Sequence, residues 1–441
     1  MSTEPPMSAE PPPSAESSSS PPKPSPAPES RRRLNVLSGD YFPAYVVWEL
    51  TLACDHACAH CGSRGAVARA GELSTAEALQ VADELAALGT REIVLIGGEA
   101  YLHEGFYEIT RRLKARGVNP IVTTGGWGIT EEVAAQMAAA GVHRVSVSID
   151  GLEAQHDRIR AKRGSFQQCL RALEWIKRAG MIPQANTNFN RVNFGDLEEL
   201  YLLLLQRGVK SWQVQITSPL GRAADRPQML LQPYDLLDLM PRLARIKARG
   251  HAEGMLVTAG NNLGYFGPEE SLLRSVTPEN KDHWAGCQAG RFVMGIESDG
   301  AVKGCPSLQT KSYVGGRYRE ARAHSERPIE SIWRESPELA FARSRSRADL
   351  WGYCAECPLA ETCLGGCSFT AHSFFGRPGN NPMCHFRAIQ HKKRGLRERL
   401  VRRARAPGEP FDHAFFEIVT EAFDAPEEPP HSLSDLVSIR G

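Results

Sequence analysis

The sequence predicts an α/β protein built as a partial (β/α)6 TIM-like barrel with a small cysteine-rich C-terminal domain. From about residue 44 to 250, short apolar runs alternate with longer helical patterns about six times. Such alternation is typical of parallel strands with helices packed outside them. Beyond about residue 280 the elements shorten and cysteines become dense. This change indicates a region held together by metals rather than by a large core.

The barrel elements follow one another in a regular order. Strands are predicted at residues 45–50, 93–96, 120–123, 145–149, 182–187 and 211–217, with helices at 74–88, 109–113, 131–139, 165–179 and 195–206. The first helix has the clearest boundaries, because Ser74-Thr75-Ala76-Glu77 is a capping box, Leu73 is placed to staple it and Gly89 ends it. Barrels of this type carry their chemistry on loops at the C-terminal ends of the strands.

The chain divides into four predicted segments. Residues 1–33 are predicted to form a disordered Pro/Ser-rich tail, and residues 40–280 the barrel. Residues 281–392 are predicted to form the cysteine-rich domain, and residues 393–441 a basic helix with an acidic tail. The tail ends in Arg31, Arg32 and Arg33 and has too few apolar residues to offset the entropy of folding. The basic helix is predicted at His391–Arg405.

Composition excludes several classes of function. The formal charge is +1, so the overall charge favours neither nucleic acid nor an anionic membrane surface. We find no apolar run of about 18 to 20 residues, and Pro and Ser occupy the place of a signal peptide's apolar core. We therefore expect a cytoplasmic protein, whose 11 cysteines are better suited to metal binding than to disulfides.

Three cysteines follow the first predicted strand directly. Cys54, Cys58 and Cys61 have the spacing C-x3-C-x2-C, so they can hold three irons of a cubane cluster and leave the fourth iron free. An open metal position marks a reactive site. A structural zinc site completed by His56 or His60 is the alternative, but the position on a barrel loop favours the reactive site.

This triad resembles the signature of the radical S-adenosylmethionine (SAM) superfamily, and the resemblance extends over the barrel. Gly97-Gly98-Glu99 after the second strand is similar to the family's GGE element, which binds the amino group of the methionine moiety. Glycines allow close backbone approach, and a carboxylate pairs with an ammonium group. The resemblance also implies that His60 lies near the adenine, Ser148 at the ribose and Arg160 at the carboxylate of the cofactor. A helix cap or a surface contact is the alternative for each polar residue.

The resemblance implies a mechanism as well. A [4Fe-4S] cluster passes one electron to SAM, which is cleaved reductively, and the resulting 5′-deoxyadenosyl radical abstracts hydrogen from the substrate. A flavodoxin or ferredoxin is the implied electron donor. In such enzymes the cofactor supplies the difficult chemistry, and the protein positions it and excludes water.

Seven more cysteines lie beyond the barrel, and they resemble the SPASM domain, the auxiliary-cluster extension of radical enzymes that mature peptides and proteins. In order they are Cys287, Cys305, Cys354, Cys357, Cys363, Cys367 and Cys384. The resemblance implies two auxiliary iron–sulfur clusters of the [4Fe-4S] type. One cluster would be held by Cys354, Cys357, Cys363 and Cys384. The other would be held by Cys287, Cys305 and Cys367.

The three-cysteine set is one ligand short of a complete site. Asp282 or His283 could complete it, or the iron could be open to substrate. A pair of zinc sites is the alternative for the whole array, because C-x2-C pairs are common zinc ligands. The remaining cysteine, Cys169, lies in a helical pattern and is predicted to be a core residue.

The SPASM-like array favours maturation of a ribosomal peptide or protein. Sulfatase maturation is an alternative, but Pro306 occupies the place where that family commonly has Asp. Small-molecule oxidation in cofactor or haem-derivative biosynthesis is another. A non-catalytic metal scaffold is disfavoured, because both cofactor motifs are intact. About a dozen residues separate the tail from the first strand, which is too few for a fused leader-binding domain. We therefore expect a leader peptide to be bound by a separate protein or directly by the barrel and the C-terminal region.

Overall fold

The computed structural model describes residues 1, 39–308 and 310–426. The predicted tail, with its three arginines, and the end of the acidic tail lie outside the described residues. The account below concerns the unit that begins at Asp40. In the part of the chain that the structure describes, no helix combines the length and the apolar character needed to cross a bilayer.

A ten-stranded sheet is the centre of the fold. Its first seven strands are β1 Tyr45–Thr51, β2 Glu92–Gly97, β3 Asn119–Thr124, β4 Arg144–Ser148, β5 Ile182–Phe189, β6 Ser211–Ile216 and β7 Leu256–Ala259. They pair in parallel, each with the next in sequence. Because the parallel strands keep their sequence order, their C-terminal ends share one edge, as the predicted partial barrel requires.

The cysteine-rich region extends the same sheet. Its strands are β8 Val293–Ile296, β9 Ala301–Lys303 and β10 Val314–Arg317. Strand β8 pairs in parallel with β1, and β9 and β10 follow in antiparallel order. The residues after the barrel are therefore hydrogen-bonded to its first strand.

Helices cover the outside of the barrel. They are α1 Thr75–Ala87, α2 Phe106–Ala115, α3 Glu131–Ala140, α4 Glu153–Arg160, α5 Ser165–Arg178, α6 Leu197–Gln206, α7 Leu236–Glu253 and α8 Glu270–Arg274. The predicted capping box of α1 is present, since Ser74 Oγ accepts from the N–H of Glu77 and the Glu77 carboxylate accepts from the N–H of Ser74. Trp48 and Trp212 are fully buried between the sheet and these helices.

Helices in the cysteine-rich region are short. They are α9 Thr310–Tyr313, α10 Tyr318–Arg322, α11 Pro328–Glu335, α12 Pro337–Ala340, α13 Tyr353–Glu356, α14 Ala360–Cys363, α15 Ser368–Phe375 and α16 His385–Lys393. Short elements bury little apolar surface each, so such a region depends on other links, such as bound metal.

The predicted basic helix at His391–Arg405 is wrong over most of its length. Helix α16 ends at Lys393, and Gly395 turns the chain with a φ of +71°. Strand β11, Leu396–Ala404, then pairs antiparallel with β12, Phe415–Ala422. The arginines that suggested a helix bind the glutamates of β12 across the hairpin, as in the Arg397–Glu421 pair. Cross-strand pairing with a distant segment outweighs the local helix propensity.

Candidate functional site

The cysteine triad lies where the barrel rule predicts it, on the loop after β1. Cys58 is buried, and Cys54 and Cys61 are half-buried. Burial raises the pKa of the Cys58 thiol to about 11, against the opposing charge of Arg160. Burial and the Glu99 carboxylate raise the pKa of the Cys54 thiol. A bound metal would supply the positive charge that thiolates need in this place, so the donor set fits an iron–sulfur cluster.

The two glycines after β2 allow a close contact with the cysteine loop. A Cβ on Gly97 would lie 2.1 Å from the carbonyl oxygen of Thr51, and one on Gly98 would lie 2.0 Å from that of Ala53. The N–H of Gly98 donates to Thr51 at 2.7 Å. From the sequence we expected these glycines to let the backbone approach a ligand closely. In the described contacts they let it approach the backbone of β1 and of the loop that follows β1.

Glu99 is a buried carboxylate held in a fixed orientation beside the triad. It is 2% exposed and accepts hydrogen bonds of 2.6 Å from the Thr124 hydroxyl and from the N–H of Gly125. Burial, together with the charge of Asp55, raises its pKa to about 8. A cation bound beside Glu99 would stabilise the ionised carboxylate and so lower its pKa, and the carboxylate would in turn stabilise the bound cation. The position therefore fits an ammonium group.

Arg160, Asp150 and His60 form a buried charged group beside the same loop. Arg160 Nη2 lies 2.7 Å and His60 Nε2 3.1 Å from Oδ2 of Asp150. Burial raises the pKa of Asp150, but the charge of Arg160 outweighs it and leaves the pKa well below its usual range. Arg160 Nη1 also donates to the Cys58 sulfur at 3.7 Å. Arg160 is thus positioned to stabilise a thiolate at Cys58.

Ser148 lies half-buried at the end of β4. Its carbonyl oxygen is 3.9 Å from the sulfur of Cys169. Cys169 itself is fully buried in the main core and donates to the carbonyl of Gly125 at 3.1 Å. The prediction that this cysteine is a core residue is confirmed.

A chain of hydrogen bonds behind the cysteine loop was not predicted from the sequence. Tyr101 donates to Asp55 at 2.6 Å, and Asp55 lies 2.6 Å from Nδ1 of His56. His56 continues through Ser165 to His156. The capping box could be found because its residues are adjacent in sequence, whereas His56 and Ser165 are 109 positions apart.

A cavity of about 330 Å³ lies at the C-terminal ends of β1, β2, β5 and β6. His60, Cys61 and Gly97 line it on the side of the triad. Residues from the cysteine-rich region and from the hairpin loop complete the wall, and they are Ser307, Phe369 and Phe411. Ser307 follows Cys305 closely and Phe369 follows Cys367 closely. The cavity therefore connects the triad with the neighbourhood of the three-cysteine set.

The structure brings the predicted four-cysteine set together. Cys354, Cys357, Cys363 and Cys384 line one small cavity of about 20 Å³. Burial, together with the neighbouring thiol of Cys354, raises the pKa of Cys363 to about 12. Burial and the thiol of Cys363 raise the pKa of Cys384. Four thiols around one buried space fit a four-coordinate metal site or a cubane cluster.

The three-cysteine set is also gathered. Burial raises the pKa of Cys305 to about 12, with the neighbouring Cys367 and Cys287 adding to the effect. The two predicted additional ligands, Asp282 and His283, are exposed, and Nδ1 of His283 lies 2.9 Å from the carbonyl of Trp284. The described contacts therefore place neither Asp282 nor His283 beside the three thiols.

The fold and the site define a barrel-type α/β protein whose cysteines are grouped as metal ligands. Residues 48–204 match the model of the Radical SAM superfamily. The chain is 30% identical to the mycofactocin maturase MftC of Mycobacterium ulcerans, over 78% of this chain and 88% of the relative. The chain therefore belongs to the radical SAM superfamily and is an enzyme. Membership implies a [4Fe-4S] cluster and SAM.

One further relative and two solved structures are also similar to this chain. The AdoMet-dependent heme synthase of Nitratidesulfovibrio vulgaris is 28% identical, over 78% of this chain and 92% of the relative. Streptococcus suis SuiB bound to S-adenosylmethionine superposes with a TM-score of 0.59 at 15% identity, covering 78% of this chain and 76% of that chain. Native anSMEcpe with bound AdoMet superposes with a TM-score of 0.61 at 16% identity, covering 78% and 95%. The last two comparisons concern the fold alone.

Proposed function

We propose that this enzyme matures a ribosomal peptide or protein by abstracting hydrogen from it after reductive cleavage of SAM. The observation that carries the proposal is the cavity of about 330 Å³, which is lined by Cys61 on one side and by Ser307 and Phe369 on the other. A substrate in this cavity lies between the radical source and the auxiliary cysteines. The 30% identity to a mycofactocin maturase supports the same reaction class.

Cys54, Cys58 and Cys61 would hold the [4Fe-4S] cluster. A cluster bound there would supply the one-electron reducing chemistry that SAM cleavage needs. The Glu99 carboxylate, oriented by its two hydrogen bonds, would bind the methionine ammonium. Gly97 and Gly98 would belong with Glu99 to the element that binds the methionine amino group. His60 would lie near the adenine and Ser148 at the ribose, while Arg160 would reach the cofactor carboxylate and stabilise Cys58.

The region 281–392 would form the auxiliary-cluster domain, following the barrel at 40–280. Its two predicted clusters would be held by the four-cysteine and the three-cysteine sets. The second set would leave one iron without a cysteine ligand, beside the cavity wall formed by Ser307 and Phe369. An iron so placed could accept an electron from a substrate radical.

Partners follow from this reaction. The enzyme would act on a peptide or protein, with a separate leader-binding protein as a possible helper, and would receive electrons from a flavodoxin or ferredoxin. The second candidate function is oxidation of a small molecule in haem or cofactor biosynthesis, which the 28% identity to a heme synthase over 92% of that protein favours. Each candidate predicts the same clusters but a different substrate.

Anaerobic quantitation of iron, sulfide and zinc tests the clusters. Three cubane clusters give about 12 irons per chain, and replacing the three triad cysteines by Ala leaves about 8. Cys169→Ser is the matched control, because Cys169 is a core thiol outside all three sets, and it should retain the full iron content. Zinc in place of the auxiliary irons, or iron unaffected by the triple replacement, would contradict the assignment.

Substrate class is tested separately with the reconstituted enzyme. Short peptides encoded beside the gene and a panel of haem precursors are each incubated with SAM and reductant, and products are analysed by mass spectrometry. A mass change in a peptide supports maturation. A mass change in a haem precursor, with every peptide unchanged, supports the second candidate instead.

A further inference from the structure

The loop between β11 and β12, residues 405–414, forms part of the wall of the reaction cavity. Phe411 lines the cavity, is 8% exposed, and donates its N–H to the carbonyl of Gly62, directly after the triad. On its other side, the ammonium group of Lys303 lies 4.0 Å from the ring centroid of Phe411. The ring therefore separates the cavity from a buried lysine of the cysteine-rich region.

A polar latch holds this loop against the triad loop. The Arg64 guanidinium donates to both carboxylate oxygens of Asp412 at 3.1 and 3.2 Å, and to the carbonyl of Glu409. It also binds Asp225, on the loop after β6. Asp412 is 1% exposed and additionally accepts from the N–H groups of Gly408 and Glu409. Arg64 thus joins the hairpin loop and the β6 loop to the segment after the triad, and a backbone hydrogen bond of 2.8 Å from the N–H of Gly221 to the carbonyl of Asp412 adds to this contact.

Two residues of this contact have unfavourable backbone conformations. Arg64 has a φ of +53° and Phe411 a φ of +57°, both in the left-handed region that side chains other than glycine rarely adopt. Such conformations persist where surrounding contacts impose them, and they cluster at ligand clamps and switch regions. Releasing the latch would relieve this strain.

The neighbouring walls are more firmly built. Strands β1, β2, β5 and β6 are paired within the sheet, and a Cβ on Gly221 would lie 2.3 Å from the carbonyl of Gly62. The hairpin loop, by contrast, is a ten-residue connection between β11 and β12, which form a separate two-stranded sheet outside the ten-stranded one.

We propose that loop 405–414 is the gate of the reaction cavity, closed by Phe411 and held shut by the pair of Asp412 with Arg64. The proposal rests on the proposed function in taking this cavity as the reaction chamber. Opening would admit the substrate between the triad loop and the hairpin. Closure would exclude water from the radical step.

Hydrogen–deuterium exchange on the full chain tests the latch without any peptide substrate. Asp412→Ala should speed exchange of the 405–414 amides about tenfold, because it removes charge-assisted hydrogen bonds that oppose local opening. Asp412→Asn should give an intermediate rate. Lys311→Ala is the matched control, since it breaks the exposed pair of Lys311 with Glu409 on the same loop and should match the wild type. Equal rates in the Asp412 and Lys311 variants would overturn the proposal.

Uncoupled cleavage of SAM tests the gate itself. With dithionite, glycerol in the buffer and no substrate, Phe411→Ala should raise 5′-deoxyadenosine formation about threefold or more, because glycerol reaches the radical and gives up a hydrogen atom from carbon. Phe411→Leu, which keeps a large apolar side chain, should give a smaller rise. Iron content and exchange of α1 verify that each variant is folded, and Asp412→Asn and Phe411→Leu serve if the Ala variants are not. Wild-type 5′-deoxyadenosine formation in Phe411→Ala would overturn the gate but leave the maturase function standing. If no peptide is modified in turnover assays, the maturase function fails while the gate proposal stands.

Discussion

The rings of His56 and His156 are joined through one hydroxyl group, that of Ser165. Its Oγ lies 3.0 Å from Nε2 of His56 and 3.1 Å from Nε2 of His156. The N–H of Asp150 donates to Nδ1 of His156, so Nε2 of that ring carries the proton and donates it to Ser165. Ser165 therefore donates to Nε2 of His56, and Nδ1–H of His56 donates to Asp55.

This directional chain ties the cysteine loop to α4 and α5. Burial lowers the pKa of His156 to about 3 and also lowers the pKa of His56. Both rings are thus neutral, and each needs the Ser165 hydroxyl as its partner. The loop between Cys54 and Cys58 is thus held by hydrogen bonds that leave the cysteine thiols free to bind metal, and such supporting contacts orient metal ligands.

Ser165→Ala should destabilise the protein by about 1–3 kcal/mol, because it leaves Nε2 of His56 without its partner and leaves Nε2 of His156 only a contact of 3.8 Å with the Cys169 sulfur. Urea unfolding of the metal-free protein under anaerobic conditions measures the loss. Ser331→Ala is the control, because the Ser331 hydroxyl binds Glu335 at the surface, and its effect should stay within about 0.5 kcal/mol. Similar small effects of both changes would contradict a role for the chain.

Gly98→Ala should be much more damaging, because its Cβ would lie 2.0 Å from the carbonyl of Ala53. The clash is with backbone, so the cysteine loop must shift, at about 3 kcal/mol or more. Gly195→Ala is the control, since a Cβ there meets nothing within 4 Å. Urea unfolding and iron content are measured for both variants. Wild-type iron and stability in Gly98→Ala would refute the close-contact explanation.

The parallel strands and the triad's place on them could be predicted from the sequence. Apolar runs such as Tyr45–Thr51 carry a local signal, and the barrel rule then places the following loop at the active edge. The strand Leu256–Ala259 was not predicted, because four residues with one threonine give no clear pattern. The structure adds it as a seventh parallel strand beside β6.

The cavity wall could be predicted only in part. His60 and the Gly97-Gly98 pair adjoin recognisable motifs, whereas Phe411 reaches the cavity from a hairpin whose first strand was predicted as a helix and whose second strand was predicted as a tail. The Arg64–Asp412 pair joins positions 348 residues apart. Such contacts depend on tertiary packing, for which local propensity carries no signal.

Glu99→Gln should weaken SAM binding about 10- to 100-fold, because it removes the charge that would pair with the methionine ammonium. Iron content should stay at the wild-type level, since Glu99 is not a proposed cluster ligand. Anaerobic equilibrium dialysis with radiolabelled SAM measures the affinity, and Glu104→Gln, an exposed change nearby, is the control. Equal affinity in the two variants would remove Glu99 from the cofactor site.

Lys247 should make stability depend on pH in the alkaline range. It is 1% exposed, and its ammonium group donates to the carbonyl oxygens of Leu273 and Ser275. Burial and the charge of Arg274 lower its pKa from 10.5 to about 8. Between these two values the unfolded chain binds more protons than the folded one, so stability contributed by this group rises with pH. Below pH 8 the buried charge is present and destabilises the fold.

Replacing Lys247 by Met removes this titration. Urea unfolding at intervals from pH 7.5 to 10.5 should therefore show the wild type gaining up to about 3 kcal/mol relative to Lys247→Met as pH rises. Taking the difference between the two proteins cancels the titration of cysteines and tyrosines in the same range. Lys210→Met, at an exposed position, should follow the wild type throughout. Parallel curves for the wild type and Lys247→Met would mean that Lys247 keeps its ordinary pKa in the folded protein, with water reaching its ammonium group.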